Sequence, residues 1–318
     1  MLEGRVVKVE SKDIYVLTGD GAEYRCSVRG RLKNSFNLKK DKLYNLDIAV
    51  VGDHVIFEVI EPAVGVIEEV KTRRTFLSRK SPRIKGAGYR GERLEQVIAA
   101  NIDNLYVITS VYDPVFNNKL LDRIIVTGES SHLDIHIVIN KIDLDDEGVI
   151  EPWGKLYEEL GYNVYYCSVE DGIGLEQIKE HMPGKTSIFW GQSGVGKSSI
   201  FNAIFPGLKF KVGEISDLHR KGKHTTVTAV MKDVGENIKI VDTPGIREIA
   251  PFGMRKEDLG HFFIEFGSYL NNCRFNTCTH FHEPGCAVRD AVETGEINFA
   301  RYESYLNMLE TIEEDINF

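Results

Sequence analysis

The chain has 318 residues, 42% hydrophobic and 27% charged, which is ordinary globular usage and excludes a mostly disordered or fibrous protein. That length exceeds one typical core, so more than one domain is expected; no apolar run reaches the ~18 residues of a membrane span, so no membrane partner and a cytoplasmic location are expected. The formal net charge of −9 conceals a split: residues 1–70 carry 10 Lys+Arg against 12 Asp+Glu, residues 71–98 carry 9 against 2, and residues 99–318 carry 20 against 34.

In chain order, residues 4–70 read as five or six short strands: 5–9, 13–17 and 23–28, with Gly19-Asp20-Gly21 as a hairpin turn, then apolar runs at 47–51, 54–60 and 64–70. Closely spaced strands in so short a segment predict a small closed barrel of the oligonucleotide-binding type over 1–70. Arg25, Arg29, Arg31, Lys33, Lys39, Lys40 and Lys42 are interleaved with Tyr24, Phe36 and Tyr44, a mixture suited to phosphate attraction and base stacking on RNA. Residues 71–98, basic and holding Pro82, Gly86, Gly88 and Gly91, read as a linker or mobile arm. From 99 to 250 strands at 104–111, 134–139, 163–168 and 186–190 alternate with helices such as 117–130 and 151–160, then strands follow near 226–232 and 237–241, so a doubly wound parallel sheet is expected. Residues 251–318 read as helical, interrupted by a Cys/His cluster. The fold class is therefore multidomain α/β: barrel, sheet domain and helical module.

Gly191-Gln192-Ser193-Gly194-Val195-Gly196-Lys197-Ser198, followed by Ser199, fits G-x-x-x-x-G-K-[ST] between a strand and a helix. Such a loop turns backbone N–H groups toward phosphate oxygens at a helix N-terminus. Lys197 would reach the β- and γ-phosphates and Ser198 would ligate Mg²⁺. Asp242-Thr243-Pro244-Gly245 closes a strand 45 residues after Lys197; Asp242 suits Mg²⁺ through water, and the Gly245 N–H suits a γ-phosphate. Asn140-Lys141-Ile142-Asp143 follows another strand. A carboxylate at Asp143 accepts from both N1–H and the 2-amino group of guanine, which adenine cannot match. Lys141 can lay its stem along the base, Asn140 would tie this loop to the P-loop, and Ser168 lies at a strand end where a backbone N–H could meet the guanine O6. GTP and GDP are the expected ligands. The base-reading loop precedes the P-loop, an order that circular permutation of a GTPase domain produces.

Of five cysteines, Cys26 and Cys167 lie in apolar strands and read as inert core thiols. Cys273-x4-Cys278-x-His280-x5-Cys286 offers four soft ligands suited to one closed, structural Zn²⁺ site, with His282 as an alternative to His280.

With these motifs, and with Ala99-Ala100-Asn101-Ile102-Asp103, Gly222-Lys223-His224-Thr225-Thr226 and Glu283-Pro284-Gly285-Cys286 in order, the chain resembles the ribosome small-subunit-dependent GTPase A family (RsgA or YjeQ) over nearly its whole length. The resemblance implies an oligonucleotide-binding barrel, a permuted GTPase domain, a zinc module, and late maturation of the small (30S) ribosomal subunit with 16S rRNA as partner. Many GTPases orient the attacking water with a glutamine just after D-x-x-G. Here that residue is Ile246, so another group must serve, and the resemblance points to His224; Thr225 or Thr226 would close over Mg²⁺ as a switch. A monomer is expected. Two functions are consistent with these residues: a GTP hydrolase stimulated by the ribosomal particle, or a nucleotide-gated RNA-binding module in which hydrolysis is incidental.

Overall fold

The computed structural model describes residues 1–10, 12–32, 48–80, 95–206, 229–242 and 254–312. Five strands form the N-terminal unit: β1 (Leu2–Glu10), β2 (Asp13–Thr18), β3 (Glu23–Val28), β4 (His54–Glu61) and β5 (Val64–Val70). β1 pairs β2, β2 pairs β3, β3 pairs β5 in parallel, β5 pairs β4, and β4 returns to β1, which closes a barrel. Alternate residues point inward, as the period of a strand demands, so Val6, Ile14, Val16, Cys26, Val55, Phe57 and Ile67 fill it.

The strand expected at 47–51 does not form over its described part. Val50, Val51 and Gly52 make a buried turn instead, held by Val50 N–H on Asp53 Oδ2 at 2.8 Å and Asp53 N–H on Val50 O at 3.1 Å. Gly52 has φ +95°, and a Cβ there would lie 1.9 Å from Ala100 O, so glycine is required both by conformation and by the approach of the next segment.

The expected linker at 71–98 also needs correcting. Its described ends carry β6 (Phe76–Lys80) and β7 (Glu95–Ala100), paired antiparallel; residues 81–94 lie outside the described residues. The flanking Arg73 makes a two-pronged pair with the buried Asp53 at 2.8 and 2.9 Å. Asn101, at φ +52°, donates to Gly52 O at 3.0 Å and accepts from Arg74 N–H at 2.9 Å, and Arg5 donates to Asn101 O at 2.8 Å. These bonds fasten the barrel to the strands that begin at residue 104.

The second unit is built on β8 (Asn104–Ser110), β9 (Asp134–Asn140), β10 (Asn163–Cys167), β11 (Thr186–Trp190), β12 (Val230–Asp233) and β13 (Lys239–Asp242). They lie in the order β10-β9-β8-β11-β13-β12, parallel except for β12. β9 reads Asp-Ile-His-Ile-Val-Ile-Asn and is buried from its second residue on, as befits a parallel strand covered on both faces. The helices are α1 (Asn118–Ser130), capped by Asn117 Oδ1 on Leu120 N–H, α2 (Glu151–Glu159), α3 (Leu175–Lys179) and α4 (Lys197–Ile204). The antiparallel edge strand β12 meets β1 at Lys8 opposite Val230, so barrel and sheet join in one eleven-stranded surface.

The C-terminal module contains α5 (Lys256–Leu259), short 3-10 turns between 260 and 272, α6 (Ala287–Glu293) and α7 (Phe299–Thr311), the last capped by Asn298. Phe263, Phe266, Tyr305 and Met308 share a core with Val126 of α1, so the module packs directly on the sheet domain. Arg301 is fully buried at that seam with Asp122 and Glu265. Burial opposes its charge, but the attraction of Asp122 and Glu265 outweighs this and holds the guanidinium well above its ordinary range. Burial pushes the Asp122 carboxyl up, opposed by Arg301.

Candidate nucleotide and metal sites

Parallel pairing puts the C-terminal ends of β8, β9, β10, β11 and β13 on one edge, the place where open α/β sheets bind ligands. The P-loop leaves β11 and enters α4 at Gly196, which has φ +94° and gives no side-chain cap. No side chain caps this end of α4, and a phosphate suits a helix N-terminus of this kind. Gln192, Ser193 and Gly194 are exposed, Val195 is buried, and Ser198 and Ser199 sit half-buried in the first turn. The Lys197 ammonium folds back onto Gly191 O and, at 2.8 Å, Gln192 O, which holds it over the loop where phosphates would lie.

Asn140 is the hub of the arrangement. Buried at the end of β9, it donates from Nδ2 to Val195 O at 2.8 Å, and its Oδ1 accepts from Cys167 Sγ at 3.4 Å. A Cβ on Gly196 would come within 2.3 Å of Asn140 Nδ2, so the glycine also makes room for this link. Lys141 follows at φ +63° and opens a single 3-10 turn, Ile142–Leu144, leaving Asp143 exposed at the sheet edge. Burial, with the Asp143 charge adding to it, pushes the Cys167 thiol up to about 12, so Cys167 is a packing thiol, as its sequence setting suggests.

Ser168 directly follows β10. Its N–H donates to Ile173 O at 3.1 Å, and its Oγ accepts from Asp171 N–H at 3.0 Å, so its own N–H closes the turn and is not available to a base. Asp242 ends β13 beside β11, with Ile188 opposite the preceding Val241. His224, Thr225, Thr226, Gly245 and Ile246 lie outside the described residues, as do Lys33, Phe36, Lys39, Lys40, Lys42 and Tyr44.

Sequence reasoning missed the loop after β8. Asp113 O accepts from the Lys141 ammonium, and a Cβ on Gly194 would touch Pro114 Cδ at 3.5 Å. Residues 111–117 therefore stand between the base-reading loop and the P-loop. The signal available was positional: a turn-forming Asp-Pro at the C-terminal end of the strand next to the P-loop strand.

In the C-terminal module Cys273, Cys278, His280 and Cys286 bring their ligand atoms within 4.8 Å of one another. His280 Nδ1 lies 3.6 Å from Cys273 Sγ and 3.4 Å from Cys286 Sγ. A tetrahedral Zn²⁺ with ordinary Zn–S and Zn–N bonds separates N and S by about 3.5 Å, so the residues fit that ion, with Nδ1 as the ligating nitrogen. Burial pushes the Cys278 thiol up to about 12 and raises that of Cys286, so these sulfurs ionise only against a cation. His282 is exposed, edge-on to Phe281, and outside the cluster. Glu283 holds the loop: it accepts from Thr279 N–H and Oγ–H at 2.9 and 2.6 Å and from the Phe281 and His282 N–H groups at 3.2 Å. From α7, Tyr302 OH donates to His280 O at 2.7 Å and Tyr305 OH to Thr279 O at 2.6 Å.

A family model described as RsgA GTPase matches residues 70–251, more than half of the chain. The chain belongs to the RsgA GTPase family. Membership makes it a GTP hydrolase, and its order of motifs, base-reading loop before P-loop, is that of a circularly permuted GTPase domain. It is 41% identical over 317 residues to the small ribosomal subunit biogenesis GTPase RsgA of Chlorobaculum parvum, covering 98% of this chain and 99% of that protein. The protein of the same name from a Geobacillus species is 36% identical, covering 99% and 98%. The crystal structure of YjeQ from Thermotoga maritima superposes with a TM-score of 0.75 at 32% identity over 98% of each chain. That of YloQ, described as a circularly permuted GTPase, gives 0.71 at 29% identity over 100% of this chain and 97% of that one.

Proposed function

We propose that this RsgA-family GTPase binds GTP at the sheet edge and assists late maturation of the small ribosomal subunit, with hydrolysis stimulated by the particle. The observation that carries the reading is the Asn140–Val195 bond at 2.8 Å: it fixes an N-K-x-D loop against a P-loop, the pairing that reads guanine and phosphate together. Asp143 selects guanine; Lys197 and the first N–H groups of α4 take the phosphates; Ser198 and Asp242 would hold Mg²⁺, which when bound neutralises developing phosphate charge. With Ser168 N–H committed elsewhere, Val169 or Glu170 N–H is the donor for the guanine O6. His224 positions the water and Thr225 or Thr226 closes the switch. The four C-terminal ligands hold one structural Zn²⁺. The relatives' names support the small subunit as partner, and the barrel would meet its 16S rRNA. The protein works as a cytoplasmic monomer; in the structure no described helix is long and apolar enough to cross a membrane.

Asp143→Asn is expected to weaken GTP binding by about 2–3 kcal/mol, as loss of charge-assisted hydrogen bonds does, and to shift preference toward xanthosine triphosphate. Unchanged GTP affinity would overturn the guanine assignment. Turnover with and without purified small subunits separates a stimulated hydrolase from a binding module with incidental hydrolysis. Elemental analysis of the folded protein should find one zinc per chain, and its removal by chelation should melt the C-terminal module.

A further inference from the structure

The helices that follow the two nucleotide-facing loops meet at one buried carboxylate. Residues 111–117, which accept from Lys141 and leave room at Gly194 for no more than a methyl group in ordinary contact with Pro114, run straight into α1. The base-reading loop runs through 145–150 into α2, steadied by Asp145, which accepts from Val149 and Ile150 N–H at 2.8 and 3.1 Å. On α1, Asp122 Oδ1 accepts from Tyr157 OH of α2 at 2.7 Å and from Arg301 of α7. Arg301 has no freedom to leave. Glu265 takes its Nε–H at 2.7 Å and a terminal N–H at 3.2 Å, and the guanidinium lies 4.7 Å from the Phe263 ring and 5.7 Å from that of Tyr157. The neighbouring turn of α1 is gripped as well: Asn118 Nδ2 donates to Ser304 Oγ at 3.2 Å, and Lys119 pairs with Glu303 at 3.2 Å.

We propose that Arg301 is a positioning residue for the guanine nucleotide: from the C-terminal module it holds α1 against α2 and so sets residues 111–117 against the base-reading loop that Lys141 joins to them. The module is then part of the nucleotide site's scaffold, and nucleotide affinity depends on a helix that touches no nucleotide. The connection runs from α7 to Asp122 by a hydrogen bond, back along the chain of α1 and the loop before it to Asp113, and from Asp113 O to Lys141 by a second hydrogen bond. This inference rests on the nucleotide site proposed above.

The test uses the full-length protein with its metal content measured. Arg301→Ala would strand Asp122 and Glu265 in the interior, so the principal variant removes the charges together: Asp122→Leu, Glu265→Gln and Arg301→Met, a kind of replacement that buried ion sets often tolerate. Tyr157→Phe removes only the α2 hydroxyl bond. Fluorescent GDP titration and GTP steady-state kinetics are read for both variants. The triple variant should raise the Kd for GDP and the KM for GTP by about 5- to 20-fold, and Tyr157→Phe by about 2- to 3-fold, with kcat at saturation and the number of binding sites unchanged. A Kd equal to wild type in Tyr157→Phe and in the folded triple variant overturns the proposal. So does a fall in kcat with Kd unchanged, which marks Arg301 as structural alone. If the triple variant does not fold, Tyr157→Phe decides by the same criterion. Failure of the wild-type protein to bind GDP would instead strike the nucleotide assignment itself.

Discussion

The barrel and the C-terminal module are fastened to the same sheet domain by different chemistry. The barrel is held by strand pairing and by polar side chains that end mostly on main chain: β1 meets β12, Ala100 N–H donates to Val51 O at 2.8 Å, Arg5 and Asn101 reach carbonyls, and Arg73 pairs with Asp53. The module is held by side chains, with Val126 inside its core and Arg301 clamped between Asp122 and Glu265. The barrel junction depends above all on backbone conformation where chain approaches chain, as at Gly52. A side-chain junction depends on a few groups whose loss leaves buried charge. The two ends of the chain should therefore fail for different reasons.

Three measurements break or sharpen that contrast. The largest effect is expected from Arg301→Ala, which leaves two carboxylates buried without their cation and should cost about 3–5 kcal/mol, read by denaturant unfolding and by lost hydrogen-exchange protection along α7 and α1. Equal protection in wild type and variant would show that the apolar core alone holds the module. Gly52→Ala comes next, at about 2–4 kcal/mol, from a side chain forced to positive φ and onto Ala100 O. Its loss of protection should centre on β1, β4 and β7 and spare α7; a loss spread evenly over the molecule would refute separate junctions. The smallest effect is a pH dependence at His54 on the barrel side. Burial, with Arg5 adding to it, lowers the pKa of His54. A depressed folded-state value means that stability is fully present above about pH 6.5, where the unfolded imidazole is neutral, and is lost as pH falls through the folded value. Barrel amides should lose protection as pH falls below about 6.5, and His54→Asn should flatten that slope.

What the sequence made legible was whatever is local in the chain. The P-loop, the N-K-x-D loop and the metal ligands are short strings whose geometry is set by adjacent residues, and strands at 104–110, 134–140 and 186–190 are marked by unbroken apolar runs. Basic composition was a poorer guide. Arg29 pairs with Glu58 at 2.6 Å and with Glu68, Lys71 with Glu3, Arg73 with Asp53 and Arg74 with Asp103. Arg29, read as part of an RNA-facing surface, and Lys71, Arg73 and Arg74 of the basic connector are thus matched within the fold. Tyr24, expected to face bases, packs against Phe57 at 5.1 Å between ring centres. Counting charge along a chain cannot show partners supplied by strands that pair across it. The same holds for Asp122 and Arg301, 179 residues apart: an aspartate and an arginine on amphipathic helices read as solvent-facing until the helices are packed together. Which N–H near Ser168 is left for a base depends on how the next turn closes, which the strand pattern does not show.

The meeting of β1 with β12 has a consequence for solubility. An open sheet presents unpaired N–H and C=O groups along its outer strands, and these recruit other chains unless something covers them. In the order β10-β9-β8-β11-β13-β12 the outer strands are β10 and β12, and β12 is met by Lys8 of β1 at Val230. The barrel therefore serves the sheet domain as an edge cover, setting a lysine-bearing strand against a site where another copy could add one. A chain divided between the two units would uncover that edge, so the N-terminal unit protects its neighbour from strand-to-strand association whatever else it binds.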